Sequence, residues 1–375
     1  MQIDYQQIDQ KRLARDIDEI REQIGAPTFD DFKHLKRVEL WGRITAFLGY
    51  SMAWIFPLNL FGAFLISTGN ICRWANVAHP VSHGAYDKIP GIPKRYTSKG
   101  FAQGRWRRLI DWLDWIEPSA WDYEHNKKHH YNLGEATDPD NIESNMEWLR
   151  KSDWPVWLRY AFVIAFSTIW KPAFYAPNTL DTQVNDEKRR RGEPENFSIL
   201  RWEMWNPLKQ DGFRLWVRCF LPYIAFRFVM IPSLFFPLGM DAVINVLLAS
   251  ILAEFLTNIH SFFVILPSHA AEDIYRFEEP AKGRGEFYLR QILGTVNYNT
   301  GSNPVDFLHG WLNYQIEHHL FPALPLNHYQ KMQPEIKAIC AKLNLPYRQE
   351  SVFKRLWMTI ELMAGKTNQL LIEHA

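Results

Sequence analysis

Apolar residues in this chain fall into two kinds of run. From 8 to 24, Ile8, Leu13, Ile17, Ile20 and Ile24 recur among charges at near-helical spacing, and Gly25-Ala26-Pro27 ends the run. This predicts a cytosolic amphipathic helix packed on the body of the protein; its plainer alternative is a solvated leader. The second kind is unbroken. Between Ile44 and Thr68 no side chain is charged, more than the ~20 residues needed to cross ~30 Å of hydrocarbon. Pro57 and Asn59 interrupt its middle, so the pattern predicts two short helices turning at Pro57, crossing near 41–56 and 57–76. Leu215 to Phe236 and Ala242 to Leu266 form another pair of crossings, near 214–236 and 241–266, joined at Pro237-Leu238-Gly239-Met240.

Two apolar stretches do not read as crossings. Near 106–116, Trp106, Leu109, Ile110, Trp112, Leu113, Trp115 and Ile116 alternate with Arg and Asp over too short a length, which predicts an interfacial segment. Near 157–175 the run ends at Lys171-Pro172 and is followed by the basic 188–191, so it is read as interfacial or re-entrant. The prediction is an all-α integral membrane protein with four transmembrane helices and a cytosolic helical cap. Residues 1–40 form an N-terminal cytosolic segment, 41–348 the membrane domain and 349–375 a C-terminal tail. The polar N-terminus (Asp4, Gln6, Gln7, Asp9) predicts no removable signal peptide. Lys94, Arg95, Lys99, Arg105, Arg107 and Arg108 mark the cytoplasmic face.

Composition changes this picture little. A formal net charge of +1 gives no argument for nucleic acid, and aromatics at 15%, with 16 Trp, suit a protein meeting lipid headgroups. The mean hydropathy of −0.27 means that few spans are separated by large polar lobes. Cys72, Cys219 and Cys340 show no CxxC spacing and an odd count, against both a disulfide framework and a thiolate metal site.

Histidine carries the chemistry. His79 and His83 stand four apart, His125, His129 and His130 fall within six residues, and His318-His319 follow Gln315 by three. On a regular helix His125 and His129 would share one face, with His130 turned ~100° toward a neighbouring ligand set. Pro267 ends the last crossing just before His269, at the rim shared with the other histidines. His260, nine residues earlier, is expected to line the pocket or to bond Asn258. Eight imidazoles (His79, His83, His125, His129, His130, His269, His318, His319), with Gln315 as a possible further donor, are too many for one ion and suit two. No HExxH motif is present and no Glu-x-x-His pair of the carboxylate-bridged type, which sets aside the usual zinc hydrolase and soluble di-iron patterns. Iron is the expected metal, because zinc cannot oxidise hydrocarbon. Asn132, Asp138, Asp140 and Glu317 are candidates to orient the ligand rings.

The order HxxxH (79–83), HxxxHH (125–130), QxxHH (315–319), with Asp138-Pro139-Asp140, Leu320-Phe321-Pro322 and His328-Tyr329-Gln330 through Pro334, resembles the membrane-bound fatty acyl desaturases over roughly residues 40–348. That resemblance implies a di-iron centre held by the box histidines plus His269. It also implies O2-dependent insertion of a double bond into a fatty acyl chain on a lipid, coenzyme A or carrier protein. A fatty acyl hydroxylase or a decarboxylating, alkene-forming oxidase on the same scaffold is the alternative, and a non-redox zinc membrane hydrolase or a metal transporter a remote one. The chain lacks the His-Pro-Gly-Gly signature of a fused cytochrome b5, so a separate cytochrome b5 or ferredoxin-type carrier is expected. The setting implied is a multi-pass protein of a bacterial inner membrane or the endoplasmic reticulum, its site cytosolic. Two departures stand out: Pro80 follows His79, removing a backbone N–H and bending the helix, and Gln315 replaces histidine in the third box.

Overall fold

The computed structural model describes residues 5–372, so the first four residues of the N-terminal segment and the last three of the tail lie outside it. The fold is mostly helical, with two short parallel strand pairs. Tyr275–Phe277 pairs with Leu370–Ile372, and Asn297–Tyr298 with Gln349–Glu350, fastening the tail to the cap.

The first helix, Gln10–Ile24, is capped by Asp9, which accepts from the Arg12 N–H at 2.9 Å. Leu13, Ile17 and Ile20 are buried against the helices Arg284–Leu293 and Leu326–Lys342, so the segment is no solvated leader. Each such side chain contributes about 1.5–3 kcal/mol by leaving water. The next helix, Phe29–Ala53, turns back at 54–59 into Leu60–Ile71, where Asn59 accepts from the Gly62 N–H at 2.9 Å and donates to the Met52 carbonyl at 2.8 Å. Glycines let the two helices touch: a Cβ on Gly49 would lie 2.7 Å from the Gly62 carbonyl oxygen. Their outer faces and the turn between them carry exposed Phe47, Ile55, Phe56, Leu60 and Phe61, surface that lipid can cover at no cost in hydration.

Two rods, Gln210–Leu238 and Met240–Ser268, are each long and apolar enough to cross a bilayer. Their ionisable residues, which the sequence leaves without evident partners, are largely satisfied. Glu254 accepts from Trp115 Nε1 at 2.6 Å and from the Tyr223 hydroxyl. Arg227 donates to Tyr50 and Asn70, and Arg218 to Glu117 at 2.9 Å.

Prolines shape the helices in a repeated way. Wide π-helical turns span Cys72–Ala78, Lys171–Tyr175, Trp216–Phe220 and Ala225–Met230. Each ends two residues before a proline: Pro80, Pro177, Pro222 and Pro232. A proline ring clashes with the carbonyl one turn back and leaves it unpaired, and the extra residue in the wide turn absorbs both effects without breaking the helix. Thus Pro80 does not end the helix under His79: the His79 N–H reaches the Trp74 carbonyl, and the helix runs on through His79–Ser82.

The segment near 106–116 does not lie flat throughout. The helix Arg105–Asp111 exposes Trp106 and Ile110, but Trp112, Trp115 and Ile116 turn inward and are buried. Buried carboxylates draw the chain in: Asp111 binds Arg95 and Arg107, and Asp114 pairs with buried Lys171 at 2.6 Å. The stretch near 157–175 is an 11-residue helix, Val156–Phe166, with Trp157 and Ile164 exposed, followed by a break and the helix Ala176–Arg190.

Candidate metal centre

The first box lies where the Leu60–Ile71 helix emerges through its wide turn, which carries His79 and His83 inward. The second is irregular. A turn of α-helix at Pro118–Trp121 opens into the wide turn Asp122–Asn126, and the chain tightens again into a 3₁₀ turn at His129–Tyr131. The third stands on the short helix Gln315–Leu320, entered through Trp311 in the left-handed region at φ 57°.

These elements bring the ring nitrogens of His79, His83, His125, His130 and His318 together, and separately those of His129, His269 and His319; within each set the nitrogens lie within 4.8 Å of one another. Adjacent His318 and His319 point about a quarter turn apart on their helix, so the third box supplies one ring to each set. The second box divides otherwise than a regular helix predicts. His125 joins His130, and His129 belongs to the other set, because the wide turn and the break at Lys127 and Lys128 change the angular step between them. His125 and His129 still stack at 5.4 Å between ring centres.

Within the first set, Nε2 atoms face one another at 3.0 Å (His79 to His125), 3.3 Å (His125 to His130) and 3.2 Å (His130 to His318). Two nitrogens each ~2.1 Å from one ion stand about 3.0–3.4 Å apart, so this spacing fits a shared cation. Burial and neighbouring histidines hold these imidazoles neutral: His79 is lowered to about 3, and His83, His125, His130, His269, His318 and His319 lie well below their usual range. Burial also works against charge on His129, but Asp138 and then Asp140 outweigh it and raise that ring to about 9. Nε2 of His83 and of His319 are buried without a hydrogen-bond partner. Seven neutral, lone-pair-rich rings, two of them with orphaned nitrogens, fit a transition-metal ion, and His129 would give up its inner proton to join them.

Outer groups fix which nitrogen faces inward. His129 Nδ1 lies 2.9 Å from Asp138 Oδ1, and Asp138 is itself held by the N–H groups of Gly134 at 2.9 Å and Asp140 at 3.0 Å. Asp140 lies 3.7 Å from the same ring and groups with His125 and His129. His319 Nδ1 donates to Gln291 Oε1 at 2.9 Å, and His318 Nδ1 to the Tyr329 hydroxyl at 3.2 Å. Each such bond places the proton on Nδ1 and frees Nε2 as a donor. Gln315 sits at the second set, its amide 2.7 Å from His269 Nε2.

Four sequence candidates serve elsewhere. Asn132 donates to the Lys128 carbonyl at 2.7 Å and tightens the turn beneath His129. Glu317 lies across the short helix from the ligands, accepts from Asn297 at 2.8 Å and Tyr347 at 2.7 Å, and is raised by burial to about 7. Asn258 accepts the Lys171 N–H at 2.9 Å, and His260 does not bond it but reaches the Leu308 carbonyl at 2.6 Å. Gln291 and Tyr329 are ring-orienting residues that the box spacings do not indicate. Tyr329 lies in the 328–334 motif that carried the resemblance, whereas Gln291 sits on an ordinary amphipathic helix and leaves no signal.

A narrow pocket opens beside both sets, walled by Trp74, Trp121, Tyr175, Ile265 and Leu312. It adjoins an apolar pocket lined by Met146, Phe166, Trp170, Phe174, Leu266 and Met363, and the two share Asp140, Tyr175, Ile265 and His269 as walls.

The fatty acid desaturase family profile matches residues 53–351. The chain is 25% identical to an NADPH-dependent stearoyl-CoA 9-desaturase of Mycobacterium tuberculosis, over 94% of this chain and 79% of that protein. It is 23% identical to Delta(5) fatty acid desaturase A of Dictyostelium discoideum over 88% of this chain and 67% of the other, and 26% identical to an acyl-lipid (7-3)-desaturase of Rebecca salina over 76% and 58%. A match that spans all three boxes and the walls of the cavity makes this chain a member of the fatty acid desaturase family, and so an oxidoreductase.

Proposed function

We propose that this protein inserts a double bond into a fatty acyl chain, using O2 and a pair of iron ions. His79, His83, His125, His130 and His318 would hold one ion, and His129, His269 and His319 the other, with Gln315 at the second. The observation that carries the reading is the convergence of eight imidazoles from remote parts of the chain beside an apolar cavity. Bound iron would supply the redox chemistry for activating O2, which the side chains lack.

The chain's own residues do the rest. Trp74, Trp121, Ile265 and Leu312 exclude water and leave an unbranched hydrocarbon as the fitting occupant, extended toward Phe166 and Phe174. Asp138, Gln291 and Tyr329 hold the ring protons on Nδ1, so the inner nitrogens do not drift between tautomers. The five-and-three division favours the less crowded second set as the place with open coordination positions. Electrons come from a carrier of the cytochrome b5 or ferredoxin type. Four crossings, the Phe29–Ala53 and Leu60–Ile71 helices adding to the two long rods, keep all the boxes on the cytosolic side.

The test is expression in a host of known lipid profile, with fatty acids read by gas chromatography and mass detection. A new unsaturated acyl chain that depends on O2 supports the proposal. A hydroxylated or shortened product, or no product with iron in place, contradicts it.

A further inference from the structure

We infer that the C-terminal strand Leu370–Ile372 and its neighbour Gln369 position the second histidine set, so that one of the two ions depends on the tail. This rests on the two-ion reading above, whose failure would show in the wild type and not in the tail variants.

His129 and His269 reach the second set on separate loops, and a small sheet joins those loops. Leu370–Ile372 runs parallel to Tyr275–Phe277, the strand that follows His269, and the Leu370 N–H donates to the Ile274 carbonyl at 2.9 Å. Phe277 in turn donates its N–H to the Gly134 carbonyl at 3.0 Å and bridges to Glu135. That loop carries Asp138, which accepts from the Gly134 N–H and meets His129 Nδ1, each at 2.9 Å. The tail also touches the other ligand. Gln369 Nε2 donates to the His269 carbonyl at 3.0 Å, and Gln369 shares a small polar pocket with Asp138, Asp140 and His269.

These contacts matter most at His269. No side chain among the described residues bonds its Nδ1, whereas Asp138 orients His129 and Gln291 orients His319. Its placement therefore falls to the backbone that Gln369 and the strand hold. With three imidazoles against five, the second set also has fewer other ligands to absorb a shift. The tail is anchored by Arg150, which donates to Asn368 Oδ1 at 2.7 Å and to the Thr367 carbonyl at 3.3 Å, and by Glu143, which accepts the Gln369 N–H at 3.1 Å. The strand itself is not core: Leu371 is 46% exposed, and Leu370 and Ile372 are half-buried. Little apolar surface leaves water when it docks, so its loss disturbs His269 more than the fold as a whole.

The test is titration of the full apoprotein with ferrous iron under argon, scored by bound metal after desalting, with melting of the apoprotein as the control for folding. Leu370→Pro removes the N–H bonded to Ile274, and Gln369→Leu removes the donor to His269 while keeping the strand. Each weakens one of the two ions by about tenfold, the loss expected of an outer partner, and leaves the other as in the wild type. Leu370→Val, which keeps the N–H, binds both ions normally. In His319→Ala, which has already lost a ring of the second set, Leu370→Pro adds no further loss to the tightly held ion. Equal weakening of both ions, or added weakening in His319→Ala, would make the tail a general brace and overturns the inference. So does wild-type affinity for both ions in Gln369→Leu, the variant that decides the matter should Leu370→Pro fail to fold. A wild type that holds only one ion refutes the two-ion reading, and the inference with it.

Discussion

Replacing Gln291 by leucine probes the site without touching a proposed ligand. In the wild type, Gln291 Oε1 accepts the His319 Nδ1 proton at 2.9 Å, and both residues are buried at about 1% exposure. Leucine matches the amide in size but offers no acceptor. The Nδ1–H is then stranded in an apolar wall at a cost of about 1–3 kcal/mol. The ring can escape by moving its proton to Nε2, and this removes it from the second set. Loss of such an outer partner typically costs 10–100-fold in metal affinity, or about 1.4–2.8 kcal/mol at 1.4 kcal/mol per tenfold. Titration of apoprotein with ferrous iron under argon, scored by bound metal after desalting, therefore shows one ion held as in the wild type and the other weakened by at least about tenfold. Gln291→Glu, which keeps an acceptor at the same place, restores binding. Wild-type affinity for both ions in Gln291→Leu refutes the claim that this bond sets the tautomer of His319.

Other outcomes follow from the same geometry. His130→Ala removes a ring from the crowded set and loses metal and activity together; full iron content with full turnover takes His130 off the ligand set. Gln315→His keeps both ions, since a stronger donor replaces a weaker one beside His269, and complete loss of iron contradicts that placement. Leu13→Ala leaves a cavity beneath the first helix and lowers stability by about 2–5 kcal/mol, read as a fall in Tm with iron content retained after purification. Glu39, although buried, is lowered to about 2 by Lys36, Tyr96 and Arg43, so its contribution is complete above its unfolded value near 4.5 and disappears as pH falls toward 2. The Tm gap between wild type and Glu39→Gln, worth up to about 3 kcal/mol near neutrality, should close over that acid range, and a constant gap refutes the assignment.

The sequence and the fold agree most closely where a pattern is local. The spacing of Leu13, Ile17 and Ile20 names both the first helix and its buried face, and the order of the boxes names the family. The division of ligands was not legible at His125 to His130, because spacing assumes a regular turn and this chain inserts a wide one. Prolines 80, 177, 222 and 232 each mark such a turn, a signal that a simple reading of proline as a helix breaker overlooks. Trp112 and Trp115 look interfacial in a string of aromatics and charges. Their burial depends on Asp114 meeting Lys171 and Trp115 meeting Glu254, partners far away in sequence. Gln291 is invisible for the same reason, since its role exists only once His319 is beside it.

Every residue role above depends on two ions sitting on almost purely nitrogen donors. Iron quantification with X-ray absorption at the iron edge, on protein purified without chelator, measures this directly. Close to two irons per chain are expected, each bound mainly through nitrogen. A single ion, a shell of carboxylate oxygens or sulfur, or an unaltered spectrum after His130→Ala and His319→Ala would contradict it.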